Sequence, residues 1–147
     1  MASFTFVREI RASREVVFEL LTDHARYAEI TSLRRSELER EGEPAPNGVG
    51  AIRRLTAVGP PLREEVIAYE APSRFSYALL SGIPVRDHVG TVELTPEDGR
   101  TKMVYAVRTQ PTLPLVGPVV VAVTKQAVKQ LVEGIVKESE RRSAAGG

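Results

Sequence analysis

Apolar and polar positions divide this chain into two regimes, one long helical and one strand-like. From Gly117 to Arg142, apolar residues fall at Val120, Val123, Ala127, Val128, Leu131, Val132 and Ile135. That is the three-and-four spacing of one face of an α-helix. Gly117-Pro118 opens the stretch with a free hinge followed by a fixed φ, as helix starts favour. Glu133/Lys137 and Glu138/Arg142 form i, i+4 pairs of favourable orientation on the opposite face. At 1.5 Å per residue such a helix is about 39 Å long, close to the diameter of a small domain. It needs a broad partner surface to bury its stripe.

The preceding residues supply that surface. Ser3–Ala12 alternates as a strand, and Ser13 is a credible N-cap for REVVFELL, whose Val16, Val17, Leu20 and Leu21 share a face. Thr22 or Asp23 caps a second short turn, HARYAEI. Six strand-length runs follow: Leu33–Glu41, Gly50–Val58, Arg63–Glu70, Arg74–Ser81, Arg86–Thr95 and Thr101–Gln110. Between them stand GEPAPNG, GPP, Ala-Pro-Ser, Gly-Ile-Pro and Glu-Asp-Gly, and Pro111 closes the last. The prolines fall where no ladder N–H is needed. The order β, α, α, six β, long α predicts an α+β fold in which a seven-stranded, mostly antiparallel, curved sheet wraps around the C-terminal helix. Sheet and helix need not meet everywhere, so a cavity between them is expected.

Composition narrows the function classes. The 147 residues make one domain over 1–147, with an ordered core over about 3–142 and a fraying tail over 143–147. Twenty basic and nineteen acidic residues, interspersed, give net charge +1 and no footprint for nucleic acid. No apolar run approaches the roughly 18 residues of a spanning helix. The first ten residues alternate and contain Arg8 and Glu9, which argues against a signal peptide. With no cysteine, disulfides and thiolate chemistry are excluded. A cytoplasmic monomer or homodimer is expected.

Strand alternation predicts the cavity lining. The inward sets are Phe75, Tyr77 and Leu79, then His88, Gly90, Val92 and Leu94, then Met103, Tyr105 and Val107. In the fourth strand Glu65, Ile67 and Tyr69 oppose Glu64, Val66 and Ala68, and the first set is taken as inward. The third strand leaves two choices: Ile52, Arg54 and Thr56, or Arg53 and Leu55. Ala127, Leu131 and Ile135 complete the wall from the helix. Glu65 and His88, with Arg53 as a third group, are the polar anchors. In an apolar pocket they would bind a ligand's carbonyl or hydroxyl, or serve as acid and base.

Other chemistry finds little support. Asp87 and His88 are neighbours on a strand and point to opposite faces, so they do not make two members of a triad. Asp23-His24 sits at a helix start, where Asp is a capping residue. Neither histidine has the spacing of a metal site, and no cofactor is expected. Gly48-Val49-Gly50 leads into a strand and lacks the helix N-terminus that would hold a phosphate. Leu113–Val123 is unusually apolar for a loop and helix start. It is a lid over the core or a gate that touches a membrane transiently.

The phrases REIRASREVVFELLTDHARYAEI, NGVGAIRRL, LREEVIAYEAPSRFSYALLSG, RDHVGTVEL and GRTKMVYAVR, in this order, resemble the START-like or SRPBCC superfamily of polyketide cyclase/dehydrase and lipid transport proteins. The resemblance runs over roughly residues 4–140 and implies the helix-grip fold of the birch pollen allergen. Two positions depart from it. The second helix reads Tyr27-Ala28-Glu29-Ile30 where the family usually has a Trp, and Tyr105 stands where many members carry Trp. The resemblance implies binding or transport of a small hydrophobic molecule (lipid, polyketide or aromatic). The alternatives it leaves are an aromatase/cyclase-like enzyme using Glu65 and His88, and a protein-interaction module.

Overall fold

The computed structural model describes residues 1–57 and 59–146. Strand β1 spans Ala2–Ile10, helix α1 Arg14–Thr22, a 3-10 turn His24–Arg26 and helix α2 Tyr27–Ile30. Strands β2 to β7 follow at Arg35–Arg40, Ile52–Thr56, Leu62–Glu70, Arg74–Ser81, Val85–Glu97 and Arg100–Pro111, and helix α3 runs Gly117–Gly146. One seven-stranded sheet has the order β1-β7-β6-β5-β4-β3-β2, with every neighbouring pair antiparallel. The chain is therefore a meander from β2 to β7, closed by β1 against the last strand. Asp98 and Gly99, with φ of 49° and 80°, make the two-residue β6–β7 turn that suits the twist of a hairpin.

Ser13 caps α1 as expected, accepting from the Val16 amide at 3.3 Å. Asp23 does not cap the next element. Its carboxylate stands 3.9 Å from Arg26, while Thr22 Oγ1 donates back to the Phe18 carbonyl at 2.9 Å. The expected third strand reached Val58, which lies outside the described residues; β3 ends at Thr56. Ser143–Gly146, expected to fray, continue the helix, and Gly147 lies outside the described residues.

Helix α3 buries Thr124, Val128, Val132, Ile135 and Ser139. Its C-terminal half is tied down. Glu133 pairs with Arg8 of β1 at 2.8 Å instead of with Lys137, and Glu140 accepts from the Arg11 amide at 3.0 Å. Glu138 and Arg142 make the expected i, i+4 pair at 2.9 Å. Gly134 lets α2 approach, since a Cβ there would overlap the Ile30 carbonyl oxygen. The N-terminal half is held less closely: Val123, expected on the buried face, is 65% exposed. Helix α3 packs on β1, β7, α1 and α2, and it stands off from the β3–β6 side of the sheet. Among the described residues no helix is long and apolar enough to cross a membrane.

Candidate functional site

The gap between the first half of α3 and strands β3–β6 is a two-lobed cavity. The larger lobe, about 230 Å³, is lined by Leu55, Leu62, Leu79, Ile83, His88 and Val123, among others. The smaller, about 130 Å³, extends under α2 past Tyr27, Thr31, Leu33, Arg53, Tyr105 and Leu131. Leu55, Leu62, Glu64, Tyr77, Ala127 and Val128 border both. Together the lobes reach the lower end of the range for small-molecule pockets, roughly 300 Å³. An open groove on α1, lined by Glu15, Glu19, Asp23, Phe18 and Tyr69, is larger at about 620 Å³ but lies outside the sheet–helix interior.

The polar end of the cavity is built on one cross-strand pair. Arg53 of β3 is opposite Glu64 of β4, and both side chains face inward. The guanidinium is 1% exposed, and its Nε and Nη2 both lie 2.6 Å from Glu64 Oε1. Its Nη1 donates to the Tyr27 hydroxyl at 3.0 Å, and that hydroxyl in turn donates to the Leu21 carbonyl. The cation lies over the rings of Tyr77, Tyr27 and Phe75 at 4.4, 5.1 and 5.7 Å. Burial opposes the Arg53 charge, but Glu64 and the three tyrosine oxygens outweigh it and hold the guanidinium above its ordinary pKa.

Tyr77 and Tyr105 meet hydroxyl to hydroxyl at 2.7 Å. Burial first, and then Glu64 for Tyr77 and Tyr77 for Tyr105, push both phenols above their ordinary pKa, so they stay protonated. Tyr77 keeps its place because Gly90 faces it across β5–β6; a Cβ there would run into the ring. His88 borders the larger lobe, and its Nδ1 has no partner among the described residues. Burial lowers its pKa, Glu64 offsets part of that, and Arg53 adds to it. His24, not anticipated as a site residue, is wholly buried against Tyr27 and Phe75 with both ring nitrogens unpartnered. Burial and then Arg53 drive its pKa well below 6.5.

Of the residues singled out from sequence, Arg53, Tyr77, Leu79, His88, Tyr105, Ala127 and Leu131 border the cavity. Phe75, Met103, Val107 and Ile135 are packed in the solid core instead. The third strand resolves to Arg53 and Leu55 inward, Arg54 outward. Glu65 and Ile67 require correction: both face away from the cavity. Glu65 is 34% exposed and pairs with Arg40 at 3.1 Å, and Ile67 is exposed. The cause is a bulge. Val66 pairs with Tyr77 and Ala68 with Ser76, leaving Ile67 as the extra residue. Val66 and Tyr69 both point inward across it, so the alternation extrapolated back from Tyr69 selects the wrong carboxylate. Another irregularity, between Arg86 and Val89, accompanies φ of 52° at Asp87, and His88 remains inward as expected. Among the described residues no cluster of three His, Asp or Glu is placed to hold a metal ion.

The profile of the polyketide cyclase / dehydrase and lipid transport family matches residues 1–142. The chain belongs to this family. Solved structures agree on the fold. A START superfamily protein from Mycobacterium smegmatis superposes with TM-score 0.78 at 14% identity, covering 95% of this chain and 97% of that one. Ara h 8.0201 gives 0.72 at 15%, covering 94% and 98%. Norcoclaurine synthase from Thalictrum flavum, solved with dopamine and hydroxybenzaldehyde, gives 0.73 at 14%, covering 92% and 84%. No curated protein sequence matches the chain. The helix-grip architecture of this family is therefore that of the present molecule.

Proposed function

We propose that the protein binds a small, largely apolar molecule carrying one hydrogen-bonding group. The ligand enters between α3 and the β3–β4 and β5–β6 turns, and its polar group turns toward Glu64, Tyr77 and His88. The observation that carries this reading is the pairing of an apolar-walled cavity, bordered by the Glu64 carboxylate, with a buried polar atom that the protein leaves unsatisfied, His88 Nδ1. Buried polar atoms without partners are uncommon, and each has a cost that a ligand's donor or acceptor removes. The Arg53–Glu64 pair supports the same reading, because its internal contacts fix the carboxylate before any ligand arrives.

The experiment is calorimetric titration with aromatic ring compounds bearing a ketone or phenol. The expected result is saturable binding that Glu64→Gln or His88→Gln weakens about tenfold or more, the loss of one hydrogen bond to a charged or buried group. Affinity independent of both substitutions would refute the orientation proposed. A second reading is acid–base chemistry on a bound carbonyl compound, favoured by one observation: Glu64 and His88 border the same lobe. Loss of turnover in either variant with binding intact distinguishes it.

A further inference from the structure

At one end of the molecule the fold gathers three segments that carry no charge: the residues flanking the β3–β4 turn (Ala57 and Gly59–Leu62), the β5–β6 turn (Ser81–Val85) and the β7–α3 connection (Thr109–Thr124). Register brings Val85 opposite Pro111, and Pro60, Ile83 and Val123 border one cavity lobe, so these segments surround the cavity mouth. Half of the large apolar side chains that the described residues leave exposed stand here. Leu113, Leu115, Val116, Val119 and Val123 form the outer rim, with Leu115 99% and Val119 61% exposed. Leu115 also adopts φ of 69°, a left-handed backbone that costs a bulky residue energy. Neither burial nor backbone preference explains a leucine at that position.

Positive charge predominates beside this rim. From Thr109 to Val132 the only charged residues are Lys125 and Lys129, both exposed. Arg86 and Arg108, exposed at the same end of β6 and β7, flank it, and Asp87 is the one carboxylate beside them. None of the four cations makes an ion pair among the described residues. The N-terminal end of α3, the positive end of its dipole, faces the same way.

We infer that this end docks on an anionic lipid bilayer, with Leu113, Leu115, Val116 and Val119 among the acyl chains and Lys125, Lys129, Arg86 and Arg108 at the headgroups. An apolar tip flanked by unpaired cations is complementary to that surface and to few others. A second copy of the same tip would bring like charges together. The cavity mouth opens within the docked face, so a ligand passes between lipid and cavity without crossing water. The docking claim itself does not depend on a ligand.

Flotation with vesicles tests it, using phosphatidylcholine alone and phosphatidylcholine with phosphatidylglycerol. The protein is expected to float with the anionic vesicles and to release in high salt. Leu115→Asp/Val119→Asp should abolish flotation with an unchanged melting temperature, since both side chains are in solvent. Lys125→Glu/Lys129→Glu should reduce partitioning at least about tenfold, each cation near such a surface being worth about 1 kcal/mol. Failure to float with either vesicle overturns the inference, as does equal flotation with both. A dimer in light scattering that Leu115→Asp/Val119→Asp dissociates would assign the rim to a second copy and overturn it as well.

Discussion

Arg53 is the residue on which the interior depends, because it is a full charge withdrawn from water and held by one carboxylate oxygen, one hydroxyl and three aromatic faces. Removing one member of a buried pair strands the other. Arg53→Met is predicted to destabilise the protein by about 3–5 kcal/mol, whereas Arg53→Met/Glu64→Leu should recover most of that loss. Urea unfolding of the two single variants and the double variant measures this directly. Glu65→Gln, one position away but on the outer face with Arg40, should change stability by less than about 1 kcal/mol. The contrast between Glu64 and Glu65 separates the interior carboxylate from its exposed neighbour.

The two histidines set the acid limb of stability. His24 is neutral in the folded protein because burial and Arg53 oppose its charge, and His88 is shifted the same way by burial. In the unfolded chain each regains an ordinary value near 6.5 and binds protons that the folded form refuses. Stability is thus fully present above about pH 6.5 and falls as pH drops below it. Each histidine contributes up to about 1.4 kcal/mol per pH unit between its folded and unfolded values. Unfolding curves at pH 7.5 and 5 should show this loss, and His24→Phe should flatten most of it. An unchanged slope in His24→Phe would mean that the ring is not buried neutral.

Among the elements, α3 is held firmly at one end and loosely at the other. Gly134 fits α2 against it with no room for a methyl group. Gly134→Ala is therefore predicted to lower stability by about 1–3 kcal/mol despite alanine's better helix propensity, while Gly146→Ala, with open space around it, should be neutral or slightly stabilising. Thermal melts of the two variants decide it. Elements of this kind are legible in sequence because their periodicity extends over many residues: helix α3, the Ser13 cap and the seven strands lie close to where the pattern puts them, although Val123 leaves the buried stripe and Pro96 and Pro111, expected between strands, sit inside β6 and β7. Facing is a finer property. One unpaired residue at Ile67 reverses the parity of β4, and no local pattern marks it, so Glu64 is hidden behind the more apolar set Ile67 and Tyr69. The available signal is the partner strand: once Arg53 and Leu55 face inward, the register that sets Leu55 against Leu62 sets Arg53 against Glu64. His24 escapes for another reason. A lone histidine after a capping-type Asp reads as surface, and only the packing of Tyr27 and Phe75 around it makes it interior.

For the whole molecule, the fold sets where the proposed ligand fits, and the lining residues set what kind. The sheet–helix gap is closed at the Gly134 end and open where Val123 and Ala127 leave the sheet, which gives the cavity one apolar mouth and one polar floor. That polarity is the central claim. Native mass spectrometry of the protein purified from its own host, followed by denaturation and extraction, tests it most directly, with Ala127→Trp as the variant that fills the mouth. The account predicts a single small molecule bound one to one in the wild type, released on denaturation and absent from Ala127→Trp. A bare wild-type mass, or an adduct retained equally by the filled variant, would contradict it.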